Sequence, residues 1–107
     1  MNKELIERLS ECAVVCNYCA DQCLNETEML EKMVECIRLD RDCAEVCQTT
    51  ANLLSRNSSN AEPLIAICED LCRRCAEECE KHETRHCEEC AKACRACEEA
   101  CQQLETA

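Results

Sequence analysis

Cysteines spaced three or four residues apart run through most of this chain, and this spacing constrains the fold more than any other feature. The cysteines over 12–23 follow steps of 4, 3 and 4, and the same steps return 56 residues later over 68–79. Side chains at such steps lie on one face of an α-helix. The spacing therefore predicts helices that each present a stripe of thiols to a shared interior.

Two further segments carry the same rhythm. Steps of 3, 4, 3 and 4 connect the cysteines over 87–101, and Cys36, Cys43 and Cys47 match three of them at an offset of 54. Asp40 stands on this second stripe where the repeat has a cysteine, and Met33 lies one step before Cys36. The chain is thus a duplicated helical hairpin, and we predict a single domain over 1–107.

Turn-forming residues divide the pattern. The stretch 55–63 is rich in Ser and Asn and ends in Pro63, which suits the first turn of a helix, and weaker breaks lie near 25 and 83. We predict helices near 2–25, 27–55, 62–82 and 84–105. Short connections make neighbouring helices antiparallel, so the expected fold is an all-α, up-down four-helix bundle with a cysteine-lined core.

Composition and charge exclude several classes of protein. The chain has no Gly, which argues against tight β-hairpins and phosphate-binding loops, and no apolar run approaches the roughly 20 residues of a membrane span. A net charge of −11 argues against nucleic acid as a partner. The first residues show no signal-peptide pattern, so we expect a cytoplasmic protein, in which disulfides are rare.

Sixteen cysteines on helical stripes are better explained as metal ligands than as small apolar core residues. Thiolates favour Cu(I), Zn(II) and iron–sulfur clusters. Zinc prefers discrete sets of four ligands, and iron–sulfur clusters are commonly held by loops, whereas these ligands form continuous rows. Cu(I) needs only two or three thiolates, and one Cu(I) per thiolate leaves a neutral core, so the residues favour multiple Cu(I) ions over stacked zinc sites.

The motifs together resemble those of a known family. They are CxxxCxxCxxxC at 12–23, CIRLDRDCAEVC at 36–47, CxxxCxxCxxxC at 68–79 and HxxxHCxxCxxACxACxxxC at 82–101. In this combination the chain is similar to the cytosolic copper storage proteins, which are four-helix bundles. The resemblance implies high-capacity Cu(I) storage, a homotetramer, and copper entering at the end of the bundle that carries histidines.

The candidate ligands are the cysteines and four residues on the same stripes. His82 and His86 are expected to capture incoming copper, with a solvated helix end as the alternative. Asp40 either binds or supports one Cu(I) as a minor ligand, or forms a salt bridge with Arg38, Arg41 or a residue of a neighbouring helix. The full candidate set is Cys12, Cys16, Cys19, Cys23, Cys36, Cys43, Cys47, Cys68, Cys72, Cys75, Cys79, Cys87, Cys90, Cys94, Cys97, Cys101, His82, His86, Asp40 and Met33.

Two alternatives to copper storage stay open on the sequence. The first is a protein that binds zinc or detoxifies another soft metal, which competition between Cu(I) and Zn(II) distinguishes. The second is a redox or iron–sulfur protein, which would show visible absorption or a few thiols of low pKa. No histidine, carboxylate and open site converge on a reactive centre, so we expect a binding protein and not an enzyme.

Overall fold

The computed structural model describes residues 2–105 and consists of four α-helices. The helices are α1 (Lys3–Leu24), α2 (Leu30–Ser55), α3 (Glu62–Cys79) and α4 (Arg85–Glu105), with a single 3₁₀ turn at Thr27–Met29. The predicted all-α bundle is confirmed. Two boundaries differ from the prediction by more than one residue: α2 begins three residues later, after the 3₁₀ turn, and α3 ends three residues earlier.

Side chains at the helix ends account for several boundaries. The Asn2 side chain accepts a hydrogen bond from the Leu5 amide at 3.1 Å, and Thr84 Oγ1 accepts one from the Cys87 amide at 3.4 Å. Each contact satisfies an amide that the first helical turn leaves without a backbone partner. Pro63 lies in the first turn of α3, where its missing N–H is not needed.

The longest connection ends α2 without a glycine. Asn57 has a φ of 53°, in the left-handed region. The amides of Asn57 and Ser58 donate to the carbonyls of Leu54 and Leu53, at 3.1 and 3.0 Å. Asparagine tolerates this conformation better than most residues other than glycine, so it can close a helix in a chain that has no Gly.

Each helix packs against two others. Helix α1 contacts α2 and α4, and α3 also contacts α2 and α4, so the four helices surround one axis. The Sγ atoms of Cys12 and Cys94 lie 3.8 Å apart, and those of Cys23 and Cys87 lie 4.0 Å apart. Residue numbers rise along α1 while they fall along α4, which is the antiparallel arrangement predicted from the short connections. All four cysteine stripes therefore face one axis.

The two ends of the bundle differ in chemistry. At the end near the 55–63 loop, Leu5, Leu9 and Ile65 are buried and Leu54 and Leu104 pack against them. We call this the aliphatic end. The opposite end, which we call the histidine end, carries His82, His86 and the buried Met33. In the described part of the chain, no helix is long and apolar enough to cross a bilayer.

Arg95 on α4 forms an ion pair with Glu80, the residue that follows α3. Its guanidinium donates to both carboxylate oxygens of Glu80 at 2.8 and 3.0 Å, and to Glu98 at 3.0 Å. We expect Arg95→Met to lower the free energy of unfolding by about 0.5–1 kcal/mol, since the group is partly exposed. Arg95→Lys should lower the free energy of unfolding by a smaller amount, because an ammonium keeps the charge but cannot form the bidentate pair. Urea unfolding at low and high salt measures the effect, and a loss that persists unchanged in high salt contradicts the electrostatic cause.

Candidate metal centre

The cysteine-lined core that the sequence predicts is present. All sixteen cysteines are free thiols, and each has no exposed surface. They come from all four helices, because each helix turns its three- and four-residue stripe toward the common axis. The interior is therefore filled with sulfur along most of its length.

The sulfur atoms lie at contact distances both between and within helices. Cys36 and Cys79, on α2 and α3, have Sγ atoms 3.5 Å apart. Cys43 and Cys47, four residues apart on α2, have Sγ atoms 3.7 Å apart. A disulfide bond is only about 2.05 Å long, so these are unbonded neighbours. One metal ion can reach two or more sulfurs at such separations without a change in the backbone.

Within residues 2–105, five sets of four side chains each place their ligand atoms within 4.8 Å of one another. Consecutive sets share members, so the sets form one continuous column from the aliphatic end toward the histidine end. In that order they are Cys12, Cys47, Cys72 and Cys97; Cys12, Cys16, Cys43 and Cys94; Cys16, Cys75, Cys90 and Cys94; Cys19, Asp40, Cys79 and Cys90; and Cys19, Cys23, Cys36 and Cys87.

Cys68 and Cys101 belong to none of the five sets. Thr50 Oγ1 lies 3.1 Å from Cys68 Sγ and also donates to the Val46 carbonyl at 2.7 Å. Thr50 is fully buried, and sequence reasoning missed it. Its position three residues after Cys47 continues the α2 stripe, so the spacing could have identified it. A hydroxyl in this place marks where the thiol column gives way to the aliphatic end.

Asp40 is fully buried among thiols, and Arg38 and Arg41 are exposed. Its Oδ1 accepts hydrogen bonds from Cys75 at 3.1 Å and Cys90 at 3.3 Å. No cation pairs with this carboxyl in the described residues, so the salt bridge weighed from the sequence is absent. Burial, followed by the nearby charges of Cys90 and Cys36, raises the pKa of Asp40 from 3.8 to about 10. The carboxyl is therefore protonated at neutral pH in the metal-free protein.

The thiols perturb one another strongly. Hydrogen bonds from neighbouring thiols, first Cys12 and then Cys16, lower the pKa of Cys43. Contact with Cys12 and then Cys43, together with burial, raises the pKa of Cys16. Interacting groups of this kind titrate in successive steps, and the pKa of each step belongs to the cluster and not to a single residue. Burial opposes uncompensated negative charge in the column, so loss of thiol protons is coupled to the binding of a cation.

The histidines lie at their end of the bundle outside the five sets. His82 Nε2 is 2.9 Å from Glu78 Oε2, and both side chains are only slightly exposed, at 11% and 13%. His86 Nε2 lies 3.3 Å from Thr84 Oγ1. Met33 is fully buried and Met29 is partly buried against the core. The structure thus places two imidazoles and two thioethers near one end, with the thiol column behind them.

This arrangement suits soft ions of low coordination number. Adjacent sets share sulfurs, so a thiolate can bridge two ions, and one monovalent ion per thiolate cancels the buried charge. A column of isolated divalent ions would leave a net negative charge at every site. The geometry therefore favours many monovalent soft ions, and it also contains discrete sets of four that the sequence did not predict.

Comparison with known proteins places the chain in one group. A family model described as copper storage protein matches residues 1–106. The chain is 38% identical over 88 residues to the uncharacterized cysteine-rich protein YhjQ of Bacillus subtilis, covering 82% of this chain and 81% of that protein.

Solved structures with the same fold hold copper. One is the Cu(I)-bound copper storage protein BsCsp3, at 38% identity and a TM-score of 0.89, with 94% of each chain covered. Another is a cytosolic copper storage protein from Streptomyces lividans with five coppers, at 40% identity and a TM-score of 0.92, covering 98% of this chain and 92% of that one.

Proposed function

The chain belongs to the copper storage protein family, and we propose from this that it is a high-capacity store of Cu(I) held by the thiols of its core. Ions enter the column as thiolate complexes, and the thiols release their protons as they bind. The fully buried sulfurs suit retention better than turnover, so its role is binding and not catalysis.

The observation that carries this proposal is the overlap of the five ligand sets. Cys12, Cys16, Cys19, Cys90 and Cys94 each belong to two sets. A sulfur shared by two sets can bridge two Cu(I) ions, which lets ions pack closely with their charges balanced by thiolates. A protein built for one or two structural ions has no need of a continuous column.

The four other candidate ligands take supporting roles in this proposal. His82 and His86 capture ions at the histidine end and pass them to softer sulfur, and Met33 offers a thioether on the way in. Asp40 is a minor oxygen ligand within the set that contains Cys79. To capture an ion, His82 must give up its contact with Glu78.

An anaerobic Cu(I) titration tests the storage proposal. The reduced, metal-free protein competes for Cu(I) with a chromophoric chelator of known affinity. With bridging thiolates we expect on the order of ten or more ions per chain. Saturation at one or two ions contradicts storage, and a preference for Zn(II) in the same competition supports the zinc-binding alternative.

Replacing both histidines tests the capture role. We expect His82→Ala/His86→Ala to bind Cu(I) to nearly the same capacity as the parent but several times more slowly, because the thiol column is intact and only its first contact is lost. Stopped-flow uptake from a Cu(I)–chelator complex measures the rate. Arg85→Ala is the control, since Arg85 is 91% exposed beside His86 and carries no metal-binding group. Equal rates in the parent and the double variant contradict capture by histidine.

We also propose that the protein works in the cytosol as a homotetramer. The cytosol keeps thiols reduced, as Cu(I) binding requires, and the Streptomyces lividans protein is described as cytosolic. Val14, Tyr18 and Ile67 are large apolar residues with about half or more of their surface exposed. Burial of such residues stabilises an interface between copies. Sedimentation equilibrium of the reduced protein measures the assembly, and a monomer at micromolar concentration contradicts it.

A further inference from the structure

The second of the five ligand sets is close to a finished tetrahedron. Cys12 Sγ lies 3.8 Å from each of Cys16, Cys43 and Cys94, and Cys16 Sγ lies 3.6 Å from Cys94. The two other separations are within 4.8 Å. A tetrahedral zinc ion with Zn–S bonds of about 2.3 Å needs sulfurs about 3.8 Å apart. Four of the six Sγ–Sγ distances therefore already have about the length that a tetrahedral zinc site requires.

We propose that the copper-free chain binds one Zn²⁺ at Cys12, Cys16, Cys43 and Cys94, in the half of the thiol column nearer the aliphatic end. Each of these thiols is fully buried and each comes to the site from a rigid helix. No water position is left in the ligand set, so the site is a closed one of the structural type. Binding replaces the four thiol protons with one ion.

Ligand sharing limits how many such ions the column takes. An ion at this site removes Cys12 from one neighbouring set and removes Cys16 and Cys94 from the other. The two remaining sets both need Cys19, so only one of them can be filled. A tetrathiolate zinc site carries a charge of about −2, and a second one on the same buried column is disfavoured by repulsion. The stoichiometry is therefore one, with two as the upper limit.

The zinc form prepares the column for copper. In the exchange, Zn(S-Cys)₄²⁻ and four Cu⁺ give four neutral Cu–S-Cys units and one Zn²⁺, so atoms and charge balance without an oxidant. Cu(I) is the softer ion and takes the thiolates. Four thiols are thus already deprotonated when copper arrives, and uptake at this site releases a zinc ion in place of four protons.

Cobalt substitution tests the site. Co²⁺ is titrated anaerobically into the reduced, metal-free full chain, and the visible d–d absorption of tetrahedral tetrathiolate cobalt is followed. Cys43 belongs to this set alone and Cys97 belongs to one other set alone, so Cys43→Ser and Cys97→Ser are matched variants. Since even a change in a residue that only supports a ligand lowers metal affinity by 10–100-fold, we expect Cys43→Ser to weaken the first equivalent by more than about 100-fold. Cys97→Ser should bind the first equivalent of Co²⁺ with the same affinity as the parent.

Equal binding by the parent and Cys43→Ser overturns the site, as does equal loss in both variants or three equivalent ions per chain. X-ray absorption on the parent zinc form needs no variant, and it must show four sulfur neighbours without nitrogen or oxygen. Cu(I) added to the zinc form should release about one Zn²⁺ per chain, detected by a zinc indicator. The Cu(I) titration described above is independent, so a chain that stores copper without binding cobalt rejects only the zinc site.

Discussion

Replacing Cys12, Cys16 and Cys94 together with serine is expected to lower the Cu(I) capacity to roughly half or less, far beyond the loss of the three thiols themselves. Each of these cysteines belongs to two ligand sets, and without them three of the five sets are incomplete. Bridging sulfurs are lost, so ions that were held by the remaining thiols of those sets lose neighbours as well. The two sets toward the histidine end stay intact.

The matched control removes the same number of thiols from a place where they are not shared. Cys97 belongs to one set, and Cys68 and Cys101 belong to none. The triple serine variant at these three positions should lose a capacity close to the number of thiols removed. Both variants are titrated anaerobically against the same chelator, with far-UV circular dichroism to verify the helices. Equal losses in the two variants contradict a storage mechanism based on bridging.

Asp40→Asn is expected to make the metal-free protein more stable at neutral pH. Burial raises the pKa of Asp40 to about 10, whereas an unfolded chain loses this proton near pH 4. Between these values the folded state binds more protons than the unfolded state, so the contribution of Asp40 to stability falls as pH rises. Between pH 4 and pH 7 the contribution of Asp40 to the free energy of unfolding should fall by about 2–4 kcal/mol. Asp40→Asn removes this pH dependence, because an amide does not titrate.

The measurement compares urea unfolding of the parent and the variant across this pH range, in reductant and without metal. The difference between the two curves isolates Asp40 from all other titrating groups. Asp42→Asn is the control, because Asp42 is exposed on the same helix. A constant difference from pH 4 to pH 7 would show that the carboxyl is ionised in the fold, against the account given for its burial.

The helices and the cysteine-lined core could be predicted because a spacing of three and four residues admits one local structure. The repeat could not predict how far one hairpin is displaced along the bundle axis relative to the other. The offset of 56 pairs Cys12 with Cys68, but the sulfur of Cys12 lies 4.0 Å from that of Cys72, one turn further on. This displacement is set by side-chain packing between hairpins, and it decides which thiols meet.

The surroundings of Asp40 show a second limit of sequence reasoning. Arg38 and Arg41 are near it in sequence, but neighbouring positions on a helix point in different directions, and both arginines are exposed. The partners that it does have, Cys75 and Cys90, are 35 and 50 residues away. Such contacts depend on how helices from both hairpins assemble. The stripe could show only that the carboxyl was buried.

The aliphatic end has a consequence for the order in which stored metal is recovered. Leu5, Leu9 and Ile65 close one end of the bundle, and the column of thiols stops short of them. With copper entering and leaving only at the histidine end, as we propose, the deepest ions exchange only after those nearer that end have left. A cell drawing on a nearly full molecule would then obtain copper readily at first and ever more slowly as it empties.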